Sequence, residues 1–289
     1  MTGSTDEVGA TGVTPTIRRA AVLGSPIAHS LSPVLHRAAY ARLGLTGWTY
    51  GRHEVDEAAL PGFLDGLDRD GSWAGLSLTM PLKRAVIPLL DETEPTAQAV
   101  NAVNTLIFRP DGSKFGANTD VTGLAAALQE RGVTAVSGAA ILGAGATAGS
   151  ALAALSDLVK SPITIYLRNP AKLAEFDALV SYFGLELDPR PWSEAAEAAD
   201  FELVINTTPA GAADALAEQL PDQVGTLFDV LYHPWPTPLA AAWSHRGGAV
   251  LGGQDLLVHQ AVRQVELMTG LEGRAPEILS AMREALEKD

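Results

Sequence analysis

From residue 138 onward the chain alternates short apolar runs with Ala-, Leu- and Glu-rich stretches. The runs "GAAILG", "PITIYL", "FELVIN", "TLFDVL" and "GGAVLG" are brief and lack the polar alternation of a half-exposed strand. Spaced by helical segments, they predict βαβ units and a parallel sheet buried on both faces. The first half alternates too. "RAAVLG" reads as a strand and "PVLHRAAYARLG" as a helix closed by Gly44; "GWTYGRHE", a helix over 57–68, "AGLSLTM" and a helix from Pro81 follow. Residues 103–118 predict a hairpin turning at Pro110-Asp111-Gly112. The last 35 residues read as two amphipathic helices without a strand, so they must pack on layers already formed. The pattern predicts a two-domain α/β protein.

Length agrees with this, because 289 residues, 47% of them hydrophobic, are near the size at which one core divides into two. No run of about 18 uncharged apolar residues occurs. Residues 1–17 lack the basic and apolar regions of a signal peptide. The expectation is a soluble, cytoplasmic protein with a short frayed tail. The absence of cysteine excludes disulfides, thiolate catalysis and Cys-ligated zinc. The six histidines are scattered without HxH or HExxH spacing, so no metal site is expected. A net charge of −14 repels polyanions and argues against nucleic-acid or anionic-membrane partners, so any anionic ligand must be held locally.

One local anion site is legible. "AAILGAGATAGSALAAL" sets Gly143, Gly145 and Ala148 in a G-x-G-x-x-A frame between a strand and a helix. There Gly143 permits the tight turn, Gly145 admits a pyrophosphate, and the helix N-terminus offers unpaired N–H groups. The next strand ends "ITIYLRNPAK", with no acid for a ribose 2′-hydroxyl and with Arg168 where a 2′-phosphate needs a planar cation. That pattern selects NADP over NAD.

Catalytic candidates lie elsewhere. Lys83 follows the apolar strand of "GLSLTMPLK", where an amine is partly desolvated and suited to acid–base work. "AVNT" (Ala102 to Thr105), "NTD" (Asn118 to Asp120) and Gln260 in "LLVHQ" add amides and a carboxylate of the kind that hold a polyhydroxylated ligand. Each has a plainer reading: Lys83 as a snorkelling surface residue, Asn104 as a turn residue, Asp120 as the N-cap of "VTGLAAALQER". The loop "SPIAHSLSP" raises a Ser/His hydrolase. It lacks G-x-S-x-G, however, and His29 and Ser30 would point to opposite faces of an extended segment, whereas Ser30 and Ser32 at i, i+2 would converge on one anion.

Eight separated motifs in order resemble the shikimate dehydrogenase family: "SPIAHSLSP", "LTMPLK", "AVNT", "NTD", "GAGATA" with Arg168, "NTTPAG", "DVLYHPWPTPL" and "LLVHQA". The resemblance implies reversible NADPH-dependent reduction of 3-dehydroshikimate to shikimate. It also implies a discontinuous substrate domain, residues 1–119 and 253–289, around a Rossmann NADP-binding domain, residues 120–252. By the same likeness Ser30 and Ser32 bind the substrate carboxylate with Tyr232 nearby, Thr79, Asn104 and Gln260 hold ring hydroxyls, and Lys83 and Asp120 form the catalytic pair. Gly143, Ala144, Gly145, Ala146, Arg168, Thr207, Val230 and Gly253 would contact NADP. The expected partners are small molecules, with the chain a monomer or homodimer. A quinate/shikimate or aminoshikimate-type dehydrogenase and a non-catalytic NADP sensor are the alternatives.

Three positions depart from the family pattern. Ser77 replaces the usual Asn and is expected to affect loop geometry rather than chemistry. Leu167 replaces an Asn before Arg168, which weakens one side of the 2′-phosphate cradle. Asp255 stands in a segment that usually reads Gly-x-Gly-Met, and an acid there is expected to disfavour an anionic cofactor.

Overall fold

A computed structural model describes residues 17–67 and 71–288; the predicted frayed tail and the end of the predicted helix over 57–68 lie outside the described residues. The chain builds two six-stranded sheets in succession. The first contains β1 (Arg18–Gly24), β2 (Trp48–Glu54), β3 (Trp73–Leu78), β4 (Glu92–Thr93), β5 (Thr105–Phe108) and β6 (Lys114–Ala117). Its order is β2-β1-β3-β5-β6-β4. β1 pairs in parallel with β2 and β3, while β3–β5 and β5–β6 are antiparallel, the second pair being the predicted hairpin.

Helices α1 (Ser32–Arg42), α2 (Leu60–Asp65), α3 (Leu82–Ala85) and α4 (Pro95–Val100) connect these strands. The helix expected from Pro81 is cut to a single turn followed by a 3₁₀ turn at Ile87–Leu89. Pro88 is the reason, since it has no N–H to continue the ladder. α5 (Thr119–Glu130) then leads to the second sheet.

That sheet contains β7 (Ala139–Leu142), β8 (Ile163–Leu167), β9 (Leu187–Pro191), β10 (Leu203–Asn206), β11 (Thr226–Asp229) and β12 (Ala249–Leu251), all parallel. The order β12-β11-β10-β7-β8-β9 is the doubly wound arrangement with its switch point between β7 and β10. The five predicted runs supply five of these strands; β9, "LDPRP", escapes the apolar pattern. It is an edge strand, where prolines are tolerated because one side of the ladder has no partner. α6 (Ala146–Leu155), α7 (Asp177–Phe183) and α8 (Pro238–His245) cover the sheet. Two of the expected helical crossovers, Trp192–Asp200 and Asp214–Gln219, are 3₁₀ turns instead.

The closing helices α9 (Gly253–Thr269) and α10 (Ala275–Leu286) return to the first sheet. Val258, Val262, Val265, Ile278 and Met282 pack with Leu35, Ala39 and Tyr40 of α1 and Ala74 of β3 in one buried cluster. A second cluster joins α5, α6 and the inner face of β7, β8 and β10. α5 therefore lies between the two sheets, against α9 on one side and α6 on the other.

Candidate active site and cofactor cleft

The C-terminal ends of the parallel strands gather the polar residues that the sequence singles out. Lys83 sits on the single turn of α3 and Asp120 in the first turn of α5, yet Lys83 Nζ donates to Asp120 Oδ2 at 2.6 Å. Both are largely covered, with side-chain exposures of 18% and 8%. Asp120 is not the cap of its helix. Asn118 takes that place, accepting from the backbone N–H groups of Asp120 (3.0 Å) and Val121 (3.3 Å), which leaves the Asp120 carboxylate free to turn inward.

Asn104 braces the pair. Its Nδ2 donates to Asp120 Oδ1 at 2.8 Å, while its Oδ1 accepts from Thr119 N at 2.8 Å and Thr105 Oγ1 at 2.8 Å. Gln260 arrives from α9, with Oε1 3.4 Å from Thr119 Oγ1. The approach is possible because Gly123 lacks a side chain: a Cβ there would stand 2.8 Å from Gln260 N. Thr79, half-buried at the end of β3, donates its N–H to Leu23 O of β1, which places it beside the same strand ends.

The serine loop differs from the extended segment expected of it. Leu31 has helical dihedrals and Ser32 opens α1, so side-chain alternation does not apply. Ser30 Oγ accepts from Ser32 N at 3.4 Å, a bond to the backbone where the chain turns into the helix. Arg52 holds the loop through Ala28 O, and Ser25 Oγ donates to Glu54 Oε1 at 3.2 Å. His29 is exposed, and its ring stacks toward that of His233 with centroids 6.4 Å apart. That contact sets the loop carrying Tyr232 against the serine loop. Tyr232 is half-buried, and burial pushes its hydroxyl above the ordinary tyrosine range. The base of its loop is Asp229, whose carboxyl burial pushes up while Thr237 Oγ1 (2.7 Å) and Leu231 N (3.2 Å) donate to it.

The switch point of the second sheet carries a cleft of about 340 Å³ lined by Gly143, Ala144, Gly145, Arg168 and Thr207, with Asn169, Lys172, Trp192 and Thr208 beyond them. Gly143 has φ +102, and a Cβ on it would meet Thr207 Oγ1 at 2.9 Å. Gly145 has open space where its Cβ would be, the clearance a pyrophosphate needs beside the N-terminus of α6. Arg168 is exposed and has no ion-pair partner among the described residues. The glycine turn, the free helix end and the cations on one wall fit a dinucleotide with an added phosphate. Ala146, Val230 and Gly253 are not among the residues lining this cleft. Gly253 instead packs against the chain after β11, where a Cβ would lie 2.2 Å from Val230 O.

Comparison with known proteins decides the family. Residues 22–106 match the model of the shikimate dehydrogenase substrate binding domain. A shikimate dehydrogenase (NADP(+)) from Thermus thermophilus is 35% identical over 272 residues, spanning 93% of this chain and 98% of its own length. The chain belongs to the shikimate dehydrogenase family. The crystal structure of the Mycobacterium tuberculosis shikimate dehydrogenase is 40% identical, has a TM-score of 0.83 and covers 92% of this chain and 99% of that one. A quinate dehydrogenase from Corynebacterium glutamicum in complex with NAD is 27% identical, with a TM-score of 0.81 over 94% of this chain and 99% of that one.

In this member of the shikimate dehydrogenase family the three departures resolve as follows. Ser77 is not a loop residue; it is buried in β3 and bonded to Tyr50 and Gln264. Leu167 is a buried strand residue that borders the cleft together with Arg168 and, on the other side of it, Asn169. Asp255 is spent on its own helix: Oδ2 accepts from Gly252 N at 2.9 Å, and Oδ1 lies 3.6 Å from Arg131 Nη2. These two contacts offset part of the negative charge expected there to disfavour an anion. Lys172, Trp192 and Thr208 were not singled out from sequence. For Lys172 the signal existed, a second cation four residues after Arg168, in the 3₁₀ turn Pro170–Phe176 that follows β8.

Proposed function

We propose that this chain catalyses the reversible NADPH-dependent reduction of 3-dehydroshikimate to shikimate. The carrying observation is the Lys83–Asp120 pair, braced by Asn104, at strand ends flanked by serine, threonine and glutamine side chains. In this reading residues 1–119 and 253–289 form the substrate-binding part and residues 120–252 the NADP-binding part.

Ser30 and Ser32 donate hydroxyls to the ring carboxylate, and Tyr232 closes over it from the opposite loop. Thr79, Asn104 and Gln260 set the ring by its hydroxyls. NADPH, when bound, would supply the hydride for the carbonyl carbon. As negative charge grows on the carbonyl oxygen, the Lys83 ammonium stabilises it and delivers a proton, and Asp120 keeps the ammonium aimed. In the oxidative direction Lys83 receives the same proton. Arg168 would hold the 2′-phosphate, with Lys172, ion-paired to Glu175 at 2.5 Å, beside it and Gly143 to Gly145 and Thr207 along the pyrophosphate side.

The test is NADP⁺ reduction by the purified protein with shikimate, alongside quinate and NAD⁺. Shikimate with NADP⁺ should give the highest kcat/KM. A preference for quinate with NAD⁺ would move the assignment to the activity that the Corynebacterium structure bears in its name.

A further inference from the structure

A buried file of side chains runs from β2 to the catalytic pair. Tyr50, 1% exposed, stacks on His36 with ring centroids 3.9 Å apart and donates its hydroxyl to Ser77 Oγ at 2.6 Å. Ser77 Oγ donates to Gln264 Oε1 at 2.7 Å. Gln264 Nε2 then donates to Asn104 O (3.2 Å) and to Thr105 Oγ1 (3.0 Å). Thr105 Oγ1 donates to Asn104 Oδ1, and Asn104 Nδ2 to Asp120 Oδ1, each at 2.8 Å.

Every link has one permitted direction. A carboxylate only accepts, so Asn104 must present Nδ2 to Asp120 and Oδ1 to Thr105. Thr105 therefore donates onward and accepts from Gln264. The backbone carbonyl of Asn104 fixes the Gln264 amide the same way round, so Gln264 Oε1 must accept from Ser77, and Ser77 from Tyr50. Burial pushes the Tyr50 hydroxyl far above its ordinary range, which keeps its proton in place. All the dipoles point at Asp120, and in a dry interior such a chain reinforces itself. At its far end the His36 ring that stacks on Tyr50 has its Nδ1 2.9 Å from Ser32 O.

We propose that Tyr50 and Ser77 are positioning residues: through Gln264 and Thr105 they lock the amide of Asn104, and with it the Asp120 carboxylate, in the orientation that aims Lys83. This rests on the assignment of Lys83 and Asp120 as the catalytic pair. Neither hydroxyl is given a contact with substrate.

The experiment is a double-mutant cycle of Tyr50→Phe and Ser77→Ala in the full chain, with turnover of shikimate by the wild type as its precondition. A wild type inactive on shikimate overturns the proposed function itself. With an active wild type, each single variant should lower kcat about 10-fold, as expected when a reacting group is slightly misplaced. The KM for NADP⁺ should be unchanged, and the double variant should be no slower than Ser77→Ala alone. Phe keeps the ring on His36, and NADP⁺ binding at the distant second sheet checks that each variant is folded. If Tyr50→Phe fails that check, Ser77→Ala alone decides. Unchanged kcat in a folded single variant, or strictly multiplicative losses in the double, would overturn the proposal.

Discussion

Lys83 and Asp120 meet at 2.6 Å although one stands on a four-residue helical turn and the other 37 positions later at the start of α5. The meeting depends on a division of labour at the α5 terminus, where Asn118 satisfies the orphan N–H groups and Asp120 is released to face the lysine. Burial of the carboxylate is offset by bonds from both Lys83 and Asn104, which is what keeps a charged pair tolerable at low exposure.

In the proposed mechanism, replacing Lys83 by Ala removes both the proton and the charge at the developing alkoxide. Turnover of shikimate should fall by about 10²-fold or more, with NADP⁺ binding retained. Asp120→Asn keeps the shape and deletes the anion, and it should lower kcat without loss of fold. Steady-state rates together with NADP⁺ binding measure both, and wild-type turnover in either variant would remove that residue from the pair.

Arg168 faces the cofactor cleft with no acid paired to it among the described residues. Arg168→Ala should raise the KM for NADP⁺ by about 10- to 100-fold, the range of one or two lost charge-assisted bonds, and leave the KM for NAD⁺ nearly unchanged. Unaltered selectivity between the cofactors would contradict the role.

Gly143 occupies φ +102 with Thr207 Oγ1 2.9 Å from where a Cβ would be. Gly143→Ala should cost about 1–3 kcal/mol in urea unfolding and weaken NADP⁺ binding, because relief of the clash shifts either the glycine turn or Thr207. Calorimetry of NADP⁺ binding checks the second half, and tight binding in this variant would show that the turn tolerates a side chain.

His36 predicts a pH dependence of stability. Its Nδ1 lies 2.9 Å from Ser32 O, so that nitrogen carries the proton, and burial lowers the ring's pKa from 6.5 to about 4. The native state thus holds the neutral ring while the unfolded chain is protonated first. Stability from this group is complete above about pH 6.5 and is lost as pH falls toward 4, a change of about 3 kcal/mol. Glu130, lowered from 4.5 to about 2 chiefly by Arg283, acts in a lower window. Urea midpoints between pH 7 and pH 4 should fall in the wild type and flatten in His36→Gln; parallel curves would refute the assignment.

Much of the molecule was legible in its apolar spacing. Runs such as "GAAILG" and "FELVIN" are too apolar for anything but doubly covered strands, and the glycine frame after β7 announced its turn because only glycine accepts such a backbone. β9 was hidden because an edge strand needs neither apolar residues nor every N–H. The serine loop was misread as extended, since alternation assumes extended backbone and Leu31 is helical.

The sequence by itself determined most of the strands and the glycine turn that follows β7, because these follow from local periodicity and backbone freedom. Only the tertiary structure decided that Asn118 rather than Asp120 caps α5, that Asp255 is consumed by its helix, and that Tyr50, Ser77 and Gln264 point one file of donors at Asp120. Those outcomes depend on directions of hydrogen bonds between residues far apart in the chain. Direction at that range is set by packing, which no local pattern encodes.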